Sequence, residues 1–160
     1  MKKYQLKPNL SLWLAFVITG LDQISKAIVK NSLGTGEIKD FIPGFLQIRL
    51  VKNTGAAFSL FSNATQILTF LSLSVSIILI IWIWRSRPMP IIKGFSISFL
   101  LAGCLGNGID RWRLGYVNDF LDFIPIDFPI FNLADISINI AVILFFIDSL
   151  YQKKINNKSY

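Results

Sequence analysis

Histidine is absent from this 160-residue chain, and cysteine occurs once. The first absence removes histidine general bases, histidine-containing triads and the commonest zinc ligand. The second excludes an intrachain disulfide and, without histidine, Cys–His catalysis. Cys104 falls inside an apolar stretch and reads as a buried small residue. Acids are also scarce, at 9 Asp and Glu against 16 Lys and Arg. No internal repeat or low-complexity tract interrupts the chain.

What is abundant is apolar. The hydrophobic fraction is 53% and the mean hydropathy is +0.57. A membrane span needs about 20 mostly apolar residues. Residues 10–29, 64–84, 91–109 and 133–150 each supply such a block. The reading is an all-α membrane protein of four transmembrane helices, with residues 1–160 forming one integral membrane domain. Little chain is left for a separate soluble unit.

The basic residues orient the bundle. Lys2, Lys3 and Lys7 precede the first block; Arg85, Arg87 and Lys93 surround the second link; Lys153, Lys154 and Lys158 follow the last block. The positive-inside rule then puts both termini in the cytoplasm and the acid-bearing links outside. The net charge of +7 is topology signal and contact with anionic lipid. No nucleic-acid motif accompanies it. The first block follows a basic start, as a cleaved signal peptide would, but it contains Asp22, Gln23 and Lys26 and lacks a small-x-small cleavage site. It reads as a retained helix.

Two outer regions connect the blocks. Residues 36–61 carry Gly36, Pro43, Gly44 and Gly55, with partial alternation through Phe45–Val51. A small β-rich segment on the periplasmic membrane surface is expected there. Its end, Lys52-Asn53-Thr54-Gly55-Ala56-Ala57, is a polar-plus-small cluster. Asn53 suits either a turn or a clamp on a substrate peptide, and Ser62 or Asn63 suits a helix cap. The second region, residues 110–132, is expected as an outer loop.

The ionisable groups cluster around these regions. Asp22 and Lys26 are four apart on one helix face and can pair. Asp110 and Arg111 read as organisers, the Arg111 fork being suited to a carboxylate, backbone carbonyls or lipid phosphate. Asn107 adds a polar group between them and the helix interior. Asp135 follows Asn132 by three, which is the spacing of a reciprocal helix cap. It is equally placed to meet a second carboxylate. That partner is Asp119 or Asp122, which composition and spacing do not separate. Two carboxylates held close share a proton, so one can activate water while the other protonates a carbonyl oxygen or leaving nitrogen. Such chemistry needs no histidine, serine or metal. A proton-coupled transporter and a membrane assembly protein are the alternative classes for polar groups at helix ends.

The ordered stretches Asp22-Gln23-Ile24-Ser25-Lys26, Asn53-Thr54-Gly55-Ala56-Ala57-Phe58, Gly106-Asn107-Gly108-Ile109-Asp110-Arg111, Val117-Asn118-Asp119-Phe120 and Phe131-Asn132-Leu133-Ala134-Asp135 resemble the bacterial lipoprotein signal peptidases, or signal peptidase II. The resemblance implies an aspartic endopeptidase of the bacterial inner membrane. It implies cleavage of diacylglyceryl-modified prolipoproteins just before the lipidated cysteine. It implies Asp119 and Asp135 as the catalytic pair. Asn53, Asn107, Arg111 and Asn132 match the family's peptide-site residues, and Asp22, Lys26 and Asp110 its supporting charges. No carboxylate spacing matches a known metal-binding loop, and no cofactor or nucleic-acid partner is expected. The implied partners are the prolipoprotein substrate and membrane phospholipid, and a monomer suffices because both aspartates lie in one chain.

Overall fold

Four long apolar stretches can satisfy their backbone groups in lipid only as helices, and the computed structural model has four among its described residues: α1 (Pro8–Ser32), α2 (Thr65–Arg85), α3 (Ile91–Leu114) and α4 (Leu133–Asn156). The structure describes residues 4–34, 37–55, 65–126 and 128–156, with only the backbone for 154–156. All four helices are long and apolar enough to cross a membrane. Each covers its expected apolar block apart from residue 64 and runs beyond it at one or both ends, α3 and α4 by more than a turn. Ser62, Asn63 and Asp127 lie outside the described residues.

Helix α3 is the axis of the bundle. Half of its most apolar window is buried, against 11% for α2. Helices α1, α2 and α4 all pack on it. The dry centre consists of Ala15, Ile83, Leu101 and Ala102. Large apolar side chains such as Trp13, Phe70, Ile78 and Phe146 point outward, as they should where the surrounding solvent is lipid. Close approach at the functional end needs small residues. A Cβ on Gly106 of α3 would stand 2.6 Å from Asp22 Oδ2 and 2.9 Å from Ala134 Cβ.

Five strands accompany the helices among the described residues. Strand β1 (Gln5–Leu6) pairs antiparallel with β4 (Met89–Pro90) and ties the N-terminal segment to the start of α3. At the other end of the bundle, β2 (Ile38–Ile42), β3 (Leu46–Asn53) and β5 (Val117–Phe123) form an antiparallel sheet in the order β2-β3-β5. Strands β2 and β3 fall in the stretch expected to be β-rich. Strand β5 does not: it lies within the stretch expected as loop. Val117-Asn118-Asp119-Phe120 is too short and too polar to announce a strand alone, and it is recruited by the open edge of β3. Asp110 and Arg111, expected at the start of that loop, sit instead in the last turns of α3. That helix ends at Gly115, whose φ of 77° places it in the left-handed region, where glycine carries no Cβ penalty.

The candidate active site

Three backbone features bring the polar residues together. First, β3 and β5 pair with Val51 opposite Asp119 and Asn53 opposite Val117. Asn53 and Asp119 are thus diagonal neighbours on one face of the sheet. Second, the chain after β5 folds back so that Leu121 and Phe131 form an antiparallel bridge. Asn132, one residue on, therefore arrives beside Asp119. Third, α4 begins at that point through a reciprocal cap. Asn132 Oδ1 accepts the Asp135 N–H at 3.0 Å, and Asp135 Oδ2 accepts the Asn132 N–H at 3.1 Å. The cap expected from the sequence is present, and it also fixes the Asp135 carboxylate.

Each of the two carboxylates then accepts two neutral N–H groups. Asp119 Oδ1 accepts Asn132 Nδ2 at 2.6 Å and its Oδ2 accepts Asn53 Nδ2 at 2.8 Å. Asp135 Oδ1 accepts Asn107 Nδ2 at 2.8 Å, opposite the backbone bond at its Oδ2. Asn132 Nδ2 also donates to Asn107 Oδ1 at 3.0 Å. Both Asn132 amide hydrogens therefore have acceptors, and its carbonyl has a donor. The chain Asp119–Asn132–Asn107–Asp135 is continuous. Asp119 is buried at 2% exposure. Burial raises its pKa to about 6; the nearby Asp135 charge adds to the rise, and the Asn53 and Asn132 bonds oppose it.

Behind this network sits a buried ionic cluster. Lys26 Nζ lies 2.8 Å from Asp22 Oδ2, 3.2 Å from Asp110 Oδ2 and 3.2 Å from Asn107 Oδ1. All three ammonium hydrogens have partners. Asp22 Oδ1 accepts the Ala134 N–H at 2.9 Å, which supplies one of the backbone donors that a helix start leaves free. Asp110 Oδ2 accepts the Asn118 N–H at 3.1 Å and so docks β5 on α3. The i, i+4 pair expected of Asp22 and Lys26 is present, with Asp110 as a third member. Gln23, not singled out from the sequence, joins them: its Nε2 donates to Asp110 Oδ1 at 3.0 Å and to the Gly106 carbonyl at 3.1 Å. Its position between Asp22 and Lys26 was the available signal. Arg111 Nη2 donates to the Gly55 carbonyl at 2.9 Å, which is the backbone option among those expected.

Asp122 is elsewhere. It faces Gln47, whose Nε2 donates to Asp122 Oδ2 at 2.7 Å. Asp40 is exposed on β2. Cys104 is half-buried rather than buried, because it borders a cavity. That cavity, about 1170 Å³, has Asn53, Asn107, Arg111, Asp119 and Asp135 at one end. Its walls continue along Leu71 and Val75 of α2 and Ile136, Ile140 and Ile143 of α4. It therefore joins a paired-carboxylate site to an apolar trough that follows α4 for about two turns.

The model of the signal peptidase II family matches residues 14–151. The chain belongs to the signal peptidase II family. It is similar to the lipoprotein signal peptidase of Parasynechococcus marenigrum (strain WH8102), at 50% identity over 86% of each chain. It is similar to that of Enterococcus faecalis (strain ATCC 700802 / V583), at 39% identity over 88% of each. A solved bacterial membrane enzyme superimposes with a TM-score of 0.85 at 32% identity, covering 96% of this chain and 94% of that one. A second does so with a TM-score of 0.80 at 33% identity. The chain is an aspartic endopeptidase that removes signal peptides, and a multi-pass protein of the bacterial inner membrane.

Proposed function

We propose that Asp119 and Asp135 are the catalytic pair, and that the bond they cleave precedes the diacylglyceryl-modified cysteine of a prolipoprotein. The substrates are lipoprotein signal peptides, as for the relatives of this chain. The observation that carries the residue assignment is the amide-linked pair of carboxylates at the polar end of an apolar trough. The apolar part of a signal peptide fits the trough, and its scissile bond then reaches the carboxylates.

Asn53, Asn107 and Asn132 hold the carboxylates so that neither swings away as charge moves between them. One carboxylate takes a proton from water as the water attacks the scissile carbonyl. The other, protonated, donates to the carbonyl oxygen. Collapse of the tetrahedral intermediate needs a proton on the leaving nitrogen; the carboxyl that gained one supplies it as the C–N bond breaks, and the other carboxylate takes back the hydroxyl proton as the carbonyl re-forms. The pair titrates as a unit. Asp22, Lys26 and Asp110 do not meet the substrate; they fix α1, α3, α4 and β5 around Asn107. Arg111 holds the Gly55 carbonyl and so the rim of the trough.

The distribution of Lys and Arg supports cytoplasmic termini and a site at the periplasmic face. Residues 1–160 act as one membrane unit and as a monomer. The test is cleavage of a diacylglyceryl prolipoprotein by wild type, Asp119→Asn and Asp135→Asn, with and without chelator. The assignment requires activity that survives chelator and is lost in both folded variants. A folded variant that still cleaves would remove its aspartate from the pair.

A further inference from the structure

An unfulfilled amide lies one turn below the carboxylates. Asn139 of α4 lines the cavity. It follows Asp135 by four residues and so lies on the same helix face, with Cβ atoms about 5–6 Å apart. Its side chain is exposed. Among the described residues it makes no side-chain hydrogen bond, unlike the asparagines of the site. Its neighbours along the wall are Ile136, Ile140 and Ile143 of α4, with Val75 of α2. The hydroxyl of Ser72, also on the wall, belongs to its own helix through the Leu68 carbonyl. Asn139 is therefore a free amide at the hydrocarbon boundary. Polar groups there are costly and mark function.

The substrate brings a complementary deficit. A signal segment crossing lipid must be helical, and it must stop being helical where its scissile bond enters the site. A helix end leaves its last four carbonyls without partners. Those carbonyls lie within one turn, about 5.4 Å, of the bond being cut. That is the distance by which Asn139 lies below Asp135.

We propose that Asn139 donates its amide N–H to a peptide carbonyl in the last helical turn of the bound signal peptide, and so helps set which bond faces the carboxylates. The residue is a specificity and positioning group, and the inference rests on the assignment of Asp119 and Asp135 above. It favours signal peptides whose helix ends within one turn of the cleavage site. A carbonyl of the diacylglyceryl ester presents the same chemistry from the lipid side, and the experiment separates the two.

The test is a double-mutant cycle on full-length enzyme in lipid. Wild type, Asn139→Leu and Asn139→Gln are assayed with lipidated peptide substrates carrying a single backbone thioamide at each of the last four positions before the cleavage site. Sulfur accepts hydrogen bonds poorly. The expected result is that Asn139→Leu lowers kcat/KM about fivefold to tenfold, mostly through KM, with partial rescue by glutamine. One thioamide should reproduce that loss in wild type and have no further effect in Asn139→Leu. Additive effects at every position would overturn the proposal, as would wild-type kinetics in Asn139→Leu. Coupling instead to a substrate with ether-linked chains would assign the carbonyl to the lipid and also overturn it. The same substrates with Asp119→Asn and Asp135→Asn test the catalytic pair separately: activity in either would refute that assignment whatever Asn139 does.

Discussion

Replacing Asn53 with alanine gives a direct reading of how the amides tune the carboxylates. Asn53 Nδ2 donates to Asp119 Oδ2 at 2.8 Å, and this bond favours the charged form. A hydrogen bond to a charged group contributes about 1.5–3 kcal/mol. Asn53 is half-buried, so water replaces part of it, and the lower end of that range applies. At about 1.4 kcal/mol per pKa unit, the loss raises the Asp119 pKa by about one unit. The starting value is about 6. The limb of the kcat/KM profile to which Asp119 contributes should therefore move upward from near pH 6, by at most about one unit because the pair titrates together. If that limb ascends and moves by the full unit, the variant at pH 6 retains roughly one-fifth of the wild-type ionised fraction. The substitution also frees the Gly55 N–H, which Asn53 Oδ1 accepts at 2.9 Å. Loss of rim order changes KM and amplitude at all pH values, whereas only the carboxylate bond moves the midpoint. The assay is cleavage of a lipidated peptide from pH 4.5 to 9, with Gln47→Ala as a control on the same strand. A midpoint that stays put or moves downward would refute the assignment of this limb to Asp119.

Other outcomes follow from the same contacts. Asp122→Asn should keep at least about half of wild-type activity in the cleavage assay, because its partner is Gln47 and it takes no part in the Asp119–Asn132–Asn107–Asp135 chain. Lys26→Met should destabilise the protein by about 3–5 kcal/mol in a denaturation series, since it leaves Asp22 and Asp110 buried without a counter-charge. Gly106→Ala should cost about 1–3 kcal/mol and lower the thermal midpoint, because the added methyl meets Asp22 and Ala134. The Asp119 carboxyl, raised from 3.8 to about 6, binds more protons folded than unfolded between those values. Its contribution to stability is therefore largest below about pH 4 and declines through pH 6 by roughly 2–3 kcal/mol. The corresponding decline in thermal stability should be missing in Asp119→Asn.

The four spans were legible because each is an unbroken apolar block, and in lipid such a block has one fate. The Asn132–Asp135 cap was legible for a similar reason: its spacing is local. Strand β5 was not legible, because its pairing depends on an edge of β3 that lies more than 60 residues earlier. The choice between Asp119 and Asp122 failed for the same cause. Both have apolar flanks, and only the register against β3 sends one toward Asn53 and the other toward Gln47. The resemblance to a family chose Asp119 where local physics did not. Cys104 is half-buried and not buried, because an apolar neighbourhood does not distinguish a packed helix face from the wall of a cavity. Gln23 carries no local signal beyond its position, because its acceptors, Asp110 and the Gly106 carbonyl, lie on another helix.

The pairing of Asp22 with Lys26 also bears on the order in which the molecule is made. Helix α1 is synthesised long before Asp110, Asn107 or Ala134 exists. During that interval Asp22 and Lys26 have partners only on their own helix, chiefly each other. Four residues apart on one helix, they can enter the bilayer as a closed pair instead of two bare charges, which eases insertion of an otherwise apolar helix. When α3 arrives, Lys26 gains Asp110 and Asn107. When α4 arrives, Asp22 gains the Ala134 N–H. That contact closes at the start of α4, where the Asn132–Asp135 cap also forms, so the polar network is complete only when the last helix has joined the bundle.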